Sequence, residues 1–245
     1  MSIETIELAT AEPPTGENRK RRAALAALDL VQPGMKLGLG TGSTANEFVQ
    51  ALGAKVASGL DVICVPTSER TAELATSLGI ALTTLEMEPS LDLTVDGADE
   101  LDRQLRLTKG GGGALLREKI VATASKQMVV IADDTKLVDR LGAFPLPIEI
   151  VPFGLQATRN AIDALADELG LVGEIALRLR DGGGQYVTDG GHFILDAALS
   201  VIPEPELLAH RLDEIAGVVG HGLFIGIASE AMIADPEKVV RLRAD

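Results

Sequence analysis

The stretch Met35-Lys-Leu-Gly-Leu-Gly-Thr-Gly-Ser-Thr-Ala-Asn-Glu-Phe-Val-Gln-Ala-Leu52 decides the fold class. Met35 to Leu39 is a short apolar run, and Ala45, Phe48, Val49 and Leu52 then recur at i, i+3, i+4 and i+7, the stripe of a helix with one buried face. A buried strand that turns through Gly40 to Thr44 into an amphipathic helix is the repeating unit of a parallel sheet.

The unit recurs on both sides. Upstream, Ala23 to Val31 is apolar at helical spacing and stops at Pro33-Gly34. Downstream, Val62 to Val65 reads as a second strand, Thr67 or Ser68 as a helix N-cap, and Gly79 as the glycine that follows a helix through Leu78. Strands at Leu82–Leu85, Leu91–Val95 and Met128–Ala132 extend the sheet, and Gly110 to Ser125 is a glycine turn feeding a helix. After Pro145 come a strand, a helix striped by Leu155, Thr158, Ile162, Leu165 and Leu169, an alternating strand through Ile175, Leu177 and Leu179, a strand from Phe193 to Leu195, and a helix from Pro205 to Ile215. That order predicts a split-βαβ insert, with Gly222 to Ile227 returning to the main sheet. The expected architecture is α/β. A Rossmann-like, mostly parallel sheet with helices on both faces takes residues 18–144 and 221–245, a small ferredoxin-like α+β domain takes 145–220, and 1–17 form a flexible N-terminal segment.

Composition narrows the partners. With 36 acidic against 22 basic residues the net charge is −14, which repels nucleic acid and anionic membranes, so any phosphate site must be locally basic. Cys64 is the only cysteine and lies in an apolar run, so no internal disulfide forms and a reducing cytoplasm fits. Residues 1–17 lack the apolar block of a secretory signal, and no run is long enough to span a bilayer. With five Phe, one Tyr and no Trp, stacking on a ligand ring is a minor contribution, and polar contacts dominate binding.

Three stretches carry chemistry. In Gly38-Leu-Gly-Thr41-Gly42-Ser43-Thr44, glycines admit an anion to the backbone, hydroxyls donate to it, and a helix N-terminus adds partial positive charge. A plain structural turn needs the same residue types. The P-loop lysine is missing after Gly42, and the dinucleotide glycine spacing with its later acidic residue is absent, so no nucleotide cofactor is expected. Asp96-Gly97-Ala98-Asp99-Glu100 follows an apolar strand and faces the crevice at a sheet's carboxyl end, with a solvated acidic turn as the alternative. It lacks the ligand pattern of a calcium loop. Lys109-Gly110-Gly111-Gly112-Gly113 leads into a helix that puts Glu118 in its early turns, so an ammonium and a carboxylate face one crevice. Lys20, in the basic run Arg19 to Arg22, and Lys136, beyond a strand end, are further cations that a phosphate would welcome; solvated surface charge is the alternative for both. The three histidines have no zinc spacing.

In order and spacing, these motifs together with Ile131-Ala-Asp and Lys136 closely resemble the ribose-5-phosphate isomerase A family, over residues 18 to 235. The resemblance implies a cofactor-free, metal-free aldose-ketose isomerase of the non-oxidative pentose phosphate pathway, cytoplasmic, a homodimer or homotetramer, acting on a small sugar phosphate. It implies that Thr41 to Thr44, Asp96 to Asp99, Lys109 to Gly112 and Lys136 contact the substrate, that Lys20 lies near the phosphate, and that Glu118 is the proton acceptor. Asp96 or Asp99 would assist ring opening, and Lys109 would stabilise an enediolate. A non-enzymatic sugar-phosphate sensor and a coenzyme A transferase half are the rival readings.

Overall fold

The computed structural model describes residues 2–6 and 16–243. The first half runs β1 (Ser2–Ile6), α1 (Gly16–Leu28), β2 (Lys36–Leu39), α2 (Ser43–Ala57), β3 (Ile63–Pro66), α3 (Glu69–Ser77), β4 (Ala81–Leu82), β5 (Leu93–Asp96), β6 (Glu100–Leu101), β7 (Leu107–Thr108), α4 (Leu115–Thr123) and β8 (Met128–Asp133). There follow β9 (Leu146–Ile150), α5 (Leu155–Glu168), β10 (Glu174–Leu177), β11 (Phe193–Ala198), α6 (Pro205–Asp213), β12 (Val218–His221), β13 (Leu223–Phe224), β14 (Glu230–Ala234) and β15 (Val239–Arg243).

The main sheet is eight-stranded, in the order β1-β15-β14-β8-β5-β2-β3-β4. Every pairing from β14 to β4 is parallel, and β15 and β1 close one edge antiparallel. Its strands read as near-continuous apolar runs because helices cover both faces. On one face Phe48, Val49 and Leu52 of α2 join Ala23 and Ala27 of α1 against Leu37, Leu39, Val95 and Ile131. Each such buried side chain contributes about 1.5–3 kcal/mol. On the other face Ala122 of α4 meets Met128, Val130 and Phe224, so β8 alternates between two cores. Ser68 caps α3 as expected, its hydroxyl accepting the Thr71 N–H.

A second sheet, β10-β11-β9-β12, pairs antiparallel throughout and has the ferredoxin-like order, with α5 and α6 contributing to its core. A third, β13-β7-β6, is short and lies beside the cavity described below.

Three expectations are corrected. Residues 2–6 are an edge strand paired with β15 and not a flexible start, and α1 already begins at Gly16; residues 1 and 7–15 lie outside the described residues. Gly222 to Ile227 does not rejoin the main sheet: Leu223 and Phe224 pair with β7, and the return is made by β14, between β8 and β15. The Leu82–Leu85 strand shrinks to Ala81–Leu82. In β14, Glu-Ala-Met-Ile-Ala carries helix-favouring residues, and burial in a parallel ladder overrides that local preference.

Candidate active site

The loops leaving the carboxyl ends of β2, β5 and β8, which lie side by side in the sheet, converge on one cavity of about 330 Å³. Thr41 to Thr44, Gly97 to Asp99, and Asp133, Thr135 and Lys136 form its rim; Lys20 of α1, Lys109 to Gly112, and Glu118 of α4 close it. Every residue expected to touch substrate lines this cavity except Asp96, whose side chain is fully buried beneath it, while Glu100 of the same acidic run turns away to accept the Gly142 and Phe144 N–H groups. The Asp96 carboxylate lies under the cavity floor and does not line it. Asp133 and Thr135 are additional lining residues, and the only signal for them was their place in the run ending at Lys136.

One end of the cavity suits an anion. Gly42 caps α2 without a side-chain hydrogen bond, so the first-turn N–H groups beside Ser43 and Thr44 have no side-chain cap competing for them. Lys20 donates from Nζ to Ser43 Oγ at 3.0 Å. Its neighbours in the basic run have other work: Arg19 pairs with Asp134, and the buried Arg22 donates to the carbonyls of Asp235 and Pro236, tying α1 to the turn between β14 and β15. Thr41 Oγ1 turns inward, within 2.7–3.1 Å of the hydroxyls of Thr67, Ser68 and Thr71, so its hydroxyl braces the turn.

The opposite wall holds charge. Lys109, 2% exposed, donates from Nζ to the Gly97 carbonyl at 2.6 Å and stands 3.0 Å from Asp96 Oδ2 and 3.3 Å from Glu118 Oε1. Burial alone would depress this ammonium, but Asp96 and Glu118 more than compensate and hold it charged. Asp96 Oδ1 accepts the N–H groups of Gly97 (2.7 Å) and Thr41 (3.1 Å); burial raises its carboxyl, and Lys109 and these donors oppose the rise. Glu118 has no backbone donor of that kind, and its Oε2 is without a hydrogen-bond partner. Burial, reinforced by the Asp96 charge, lifts Glu118 to about 8 against the pull of Lys109. Two carboxylates thus share one ammonium, and Glu118 is the one that lines the cavity. Asp99, held by the Gly111 N–H at 2.7 Å, presents the third carboxylate. Among the described residues no group of three His, Cys, Asp or Glu converges as metal ligands would.

Gly40 shows how tightly this floor is built. A Cβ there would stand 2.1 Å from Asp96 Oδ1. Gly40→Ala is expected to lower activity and stability together, the latter by about 1–3 kcal/mol. A denaturant midpoint and kcat read both, and unchanged values would show that Asp96 can step aside at no cost.

Comparison with known proteins decides the identity. A family model described as ribose 5-phosphate isomerase A (phosphoriboisomerase A) matches residues 63–238. The chain belongs to the ribose 5-phosphate isomerase A family. Ribose-5-phosphate isomerase A of Agrobacterium fabrum is 61% identical over 225 residues, covering 92% of this chain and 97% of that protein. That of Sinorhizobium medicae is 60% identical with the same coverage. Among solved structures, ribose 5-phosphate isomerase A of Methanocaldococcus jannaschii superposes with a TM-score of 0.85 at 38% identity, over 94% of this chain and all of the other. A D-ribose-5-phosphate isomerase in complex with phospho-erythronic acid gives 0.86 at 36% identity, over 94% and 100% of the two chains.

In this member of the family, the corner after the small sheet backs the charged wall. The Phe224 ring centroid lies 5.6 Å from Lys109 Nζ and 5.1 Å from Lys119 Nζ. Lys119 donates to the carbonyls of His221 (2.8 Å) and Leu223 (3.0 Å), and burial pulls it down to about 8. No helix among the described residues is long and apolar enough to cross a membrane.

Proposed function

We propose that this isomerase interconverts D-ribose 5-phosphate and D-ribulose 5-phosphate through an enediolate, with Glu118 carrying the proton between C2 and C1. The observation that carries the reading is the cavity-lining carboxylate of Glu118, one buried oxygen without a hydrogen-bond partner and the other against Lys109, on one wall of a cavity whose other end is a helix N-terminus beside Lys20. The substrate's phosphate sits at the Ser43–Thr44 turn, with Lys20 and Lys136 supplying the local positive charge that the −14 chain otherwise lacks. Binding there anchors the sugar so that C1 and C2 meet Glu118.

Isomerisation moves negative charge from Glu118 to the enediolate oxygen, and both positions lie within reach of one ammonium. As Glu118 takes the C2 proton its hold on Lys109 weakens, and Lys109 turns its charge to the new oxyanion. Asp96, 3.0 Å from Lys109 beneath the floor, helps keep that ammonium protonated. Asp99, the carboxylate on the glycine-turn side, exchanges protons with the ring oxygen and the C1 hydroxyl during ring opening. Gly97, Ala98 and the glycine turn from Gly110 to Gly112 read the hydroxyl pattern. No cofactor enters this scheme. The binding of phospho-erythronic acid, a phosphorylated sugar acid, by a relative 36% identical supports a sugar-phosphate substrate.

The division into a catalytic α/β domain (18–144 and 221–245) and a small α+β domain (145–220) belongs to the same reading, supported by the separate main and small sheets. The same reading gives the enzyme a place in the cytoplasmic, non-oxidative pentose phosphate pathway, as a homodimer or homotetramer, with family membership as its support.

The test is direct conversion of ribose 5-phosphate to ribulose 5-phosphate across pH. A base must be deprotonated to act, and Glu118 loses its proton near 8. Below that point kcat/KM should rise about tenfold per pH unit, and above it level off. A limb at ordinary carboxylate pH would overturn a base raised by burial, and full turnover by Glu118→Gln would remove Glu118 from the role. Folded protein that binds sugar phosphate without turning it over would favour the sensor.

A further inference from the structure

The glycine turn at 110–113 has no side chains with which to hold itself, yet it must present defined peptide groups to the cavity. Its own closure is one backbone bond, from the Gly113 N–H to the Gly110 carbonyl at 2.9 Å, and the side chains that hold its carbonyls come from the small domain. Arg178, just beyond β10, donates from Nη1 to the carbonyl of Gly110 at 2.8 Å and of Gly111 at 3.3 Å. Its guanidinium is fixed on the far side by Asp196 of β11, which accepts from Nε at 2.8 Å and pairs with Nη2. The next carbonyl, Gly112, accepts from the Tyr186 hydroxyl at 3.3 Å, and the Tyr186 ring lies 5.8 Å from the Arg178 guanidinium carbon. Three consecutive carbonyls of the turn are thus bound by one hairpin of the other domain.

In a trans peptide the carbonyl and the next N–H point in opposite directions. The Gly110 carbonyl, held by Arg178, sets the Gly111 N–H, and that N–H is the one on Asp99 Oδ2 at 2.7 Å. The Gly111 carbonyl, held by the same guanidinium, fixes the peptide plane that carries the N–H of Gly112, a residue lining the cavity. Close approach is built in: a Cβ on Gly113 would stand 2.1 Å from the Tyr186 hydroxyl. The planar fork of an arginine can span a carboxylate and two carbonyls at once, which a lysine ammonium cannot.

We propose that Arg178, seated on Asp196 and assisted by Tyr186, is a positioning clamp by which the small domain orients the Gly110–Gly112 peptides and, through the Gly111 N–H, Asp99. The kinetic part rests on the isomerase reading above; the structural part does not. Arg178 acts on the sugar end of the cavity and leaves the phosphate end untouched.

Two measurements separate the parts. Amide hydrogen exchange on Arg178→Met should show faster exchange confined to residues 110–114, with the core of β9 and β11 unchanged; unchanged exchange in the turn would overturn the clamp whatever the activity. With ribose 5-phosphate, kcat of Arg178→Met should fall on the order of 10–100-fold, the cost of a displacement of about an ångström. Competitive inhibition by inorganic phosphate should stay within twofold of wild type. Arg178→Lys should recover only part of the loss, and Tyr186→Phe should reproduce a smaller one. Full kcat in Arg178→Met, or equal loss of phosphate affinity, would reduce Arg178 to a support of the small domain. Loosened exchange in the turn together with an inactive wild type would sink the isomerase reading and leave the clamp standing.

Discussion

Glu118→Gln is expected to lower kcat for ribose 5-phosphate by about 10²–10⁴-fold, the range set by removing a positioned acid–base group. The change is nearly isosteric, so the cavity keeps its shape and KM should move little. Stability should hold or rise slightly. Lys109 keeps Asp96 and the Gly97 carbonyl, while one of two buried carboxylates competing for a single ammonium is neutralised. Activity and melting temperature measured on the same preparation therefore move apart. If turnover survives, the proton acceptor is one of the other cavity carboxylates, Asp99 or Asp133.

Lys109→Met is the second large effect, and it strikes activity and stability together. Removing the ammonium leaves Asp96 and Glu118 facing each other unpaired in a dry wall, which costs about 3–5 kcal/mol. It also removes the cation that opposes the rise of Glu118, so the base holds its proton still higher and kcat falls by about 10²–10³-fold, as when an oxyanion donor is lost. The pH dependence has a definite sign. Carboxyls raised by burial keep protons in the folded chain that the unfolded chain has already released, so the folded state is penalised as pH climbs from the ordinary carboxylate range. The Glu118 part of the deficit against wild type should open above pH 8, where wild type releases this proton and the variant still holds it, and should stay flat from pH 8 down to 4.5, where both hold it. Urea midpoints of the two proteins across that range read it directly. A deficit that grew on acidification would mean that Lys109 does not serve these carboxylates.

Much of this site is legible along the chain because the chemistry is local. The Gly40–Thr44 turn, the Asp96–Asp99 run and the Lys109–Glu118 segment each join a strand end or glycine turn to named polar groups, and parallel strands deliver such ends to one edge. What escapes is what depends on partners far away in sequence. Asp96 and Asp99 look equivalent in a five-residue run, and only the packing of Gly40 and Lys109 over Asp96 puts one below the floor and the other on the wall. Arg22 reads as part of a solvated basic face until the turn after β14 supplies its two carbonyls. Leu223 and Phe224 look like a core strand, but only pairing decides that their partner is β7. The hold of Arg178 on Gly110 crosses between domains, and no spacing rule records it.

Lys109 donates its backbone N–H to the Gly222 carbonyl, and Gly222 in turn donates to the Pro147 carbonyl, so the two ends of the small domain's excursion are stitched together at the residue that carries the site's ammonium. In kinetic terms this makes competence a late event in the life of each chain. Contacts across so long a loop form after local ones, once its closure entropy has been met. A nascent chain released before Gly222 has every proposed cavity-lining group and still lacks the seam that seats Lys109, so partial translation products should be inert bystanders in place of slow enzymes.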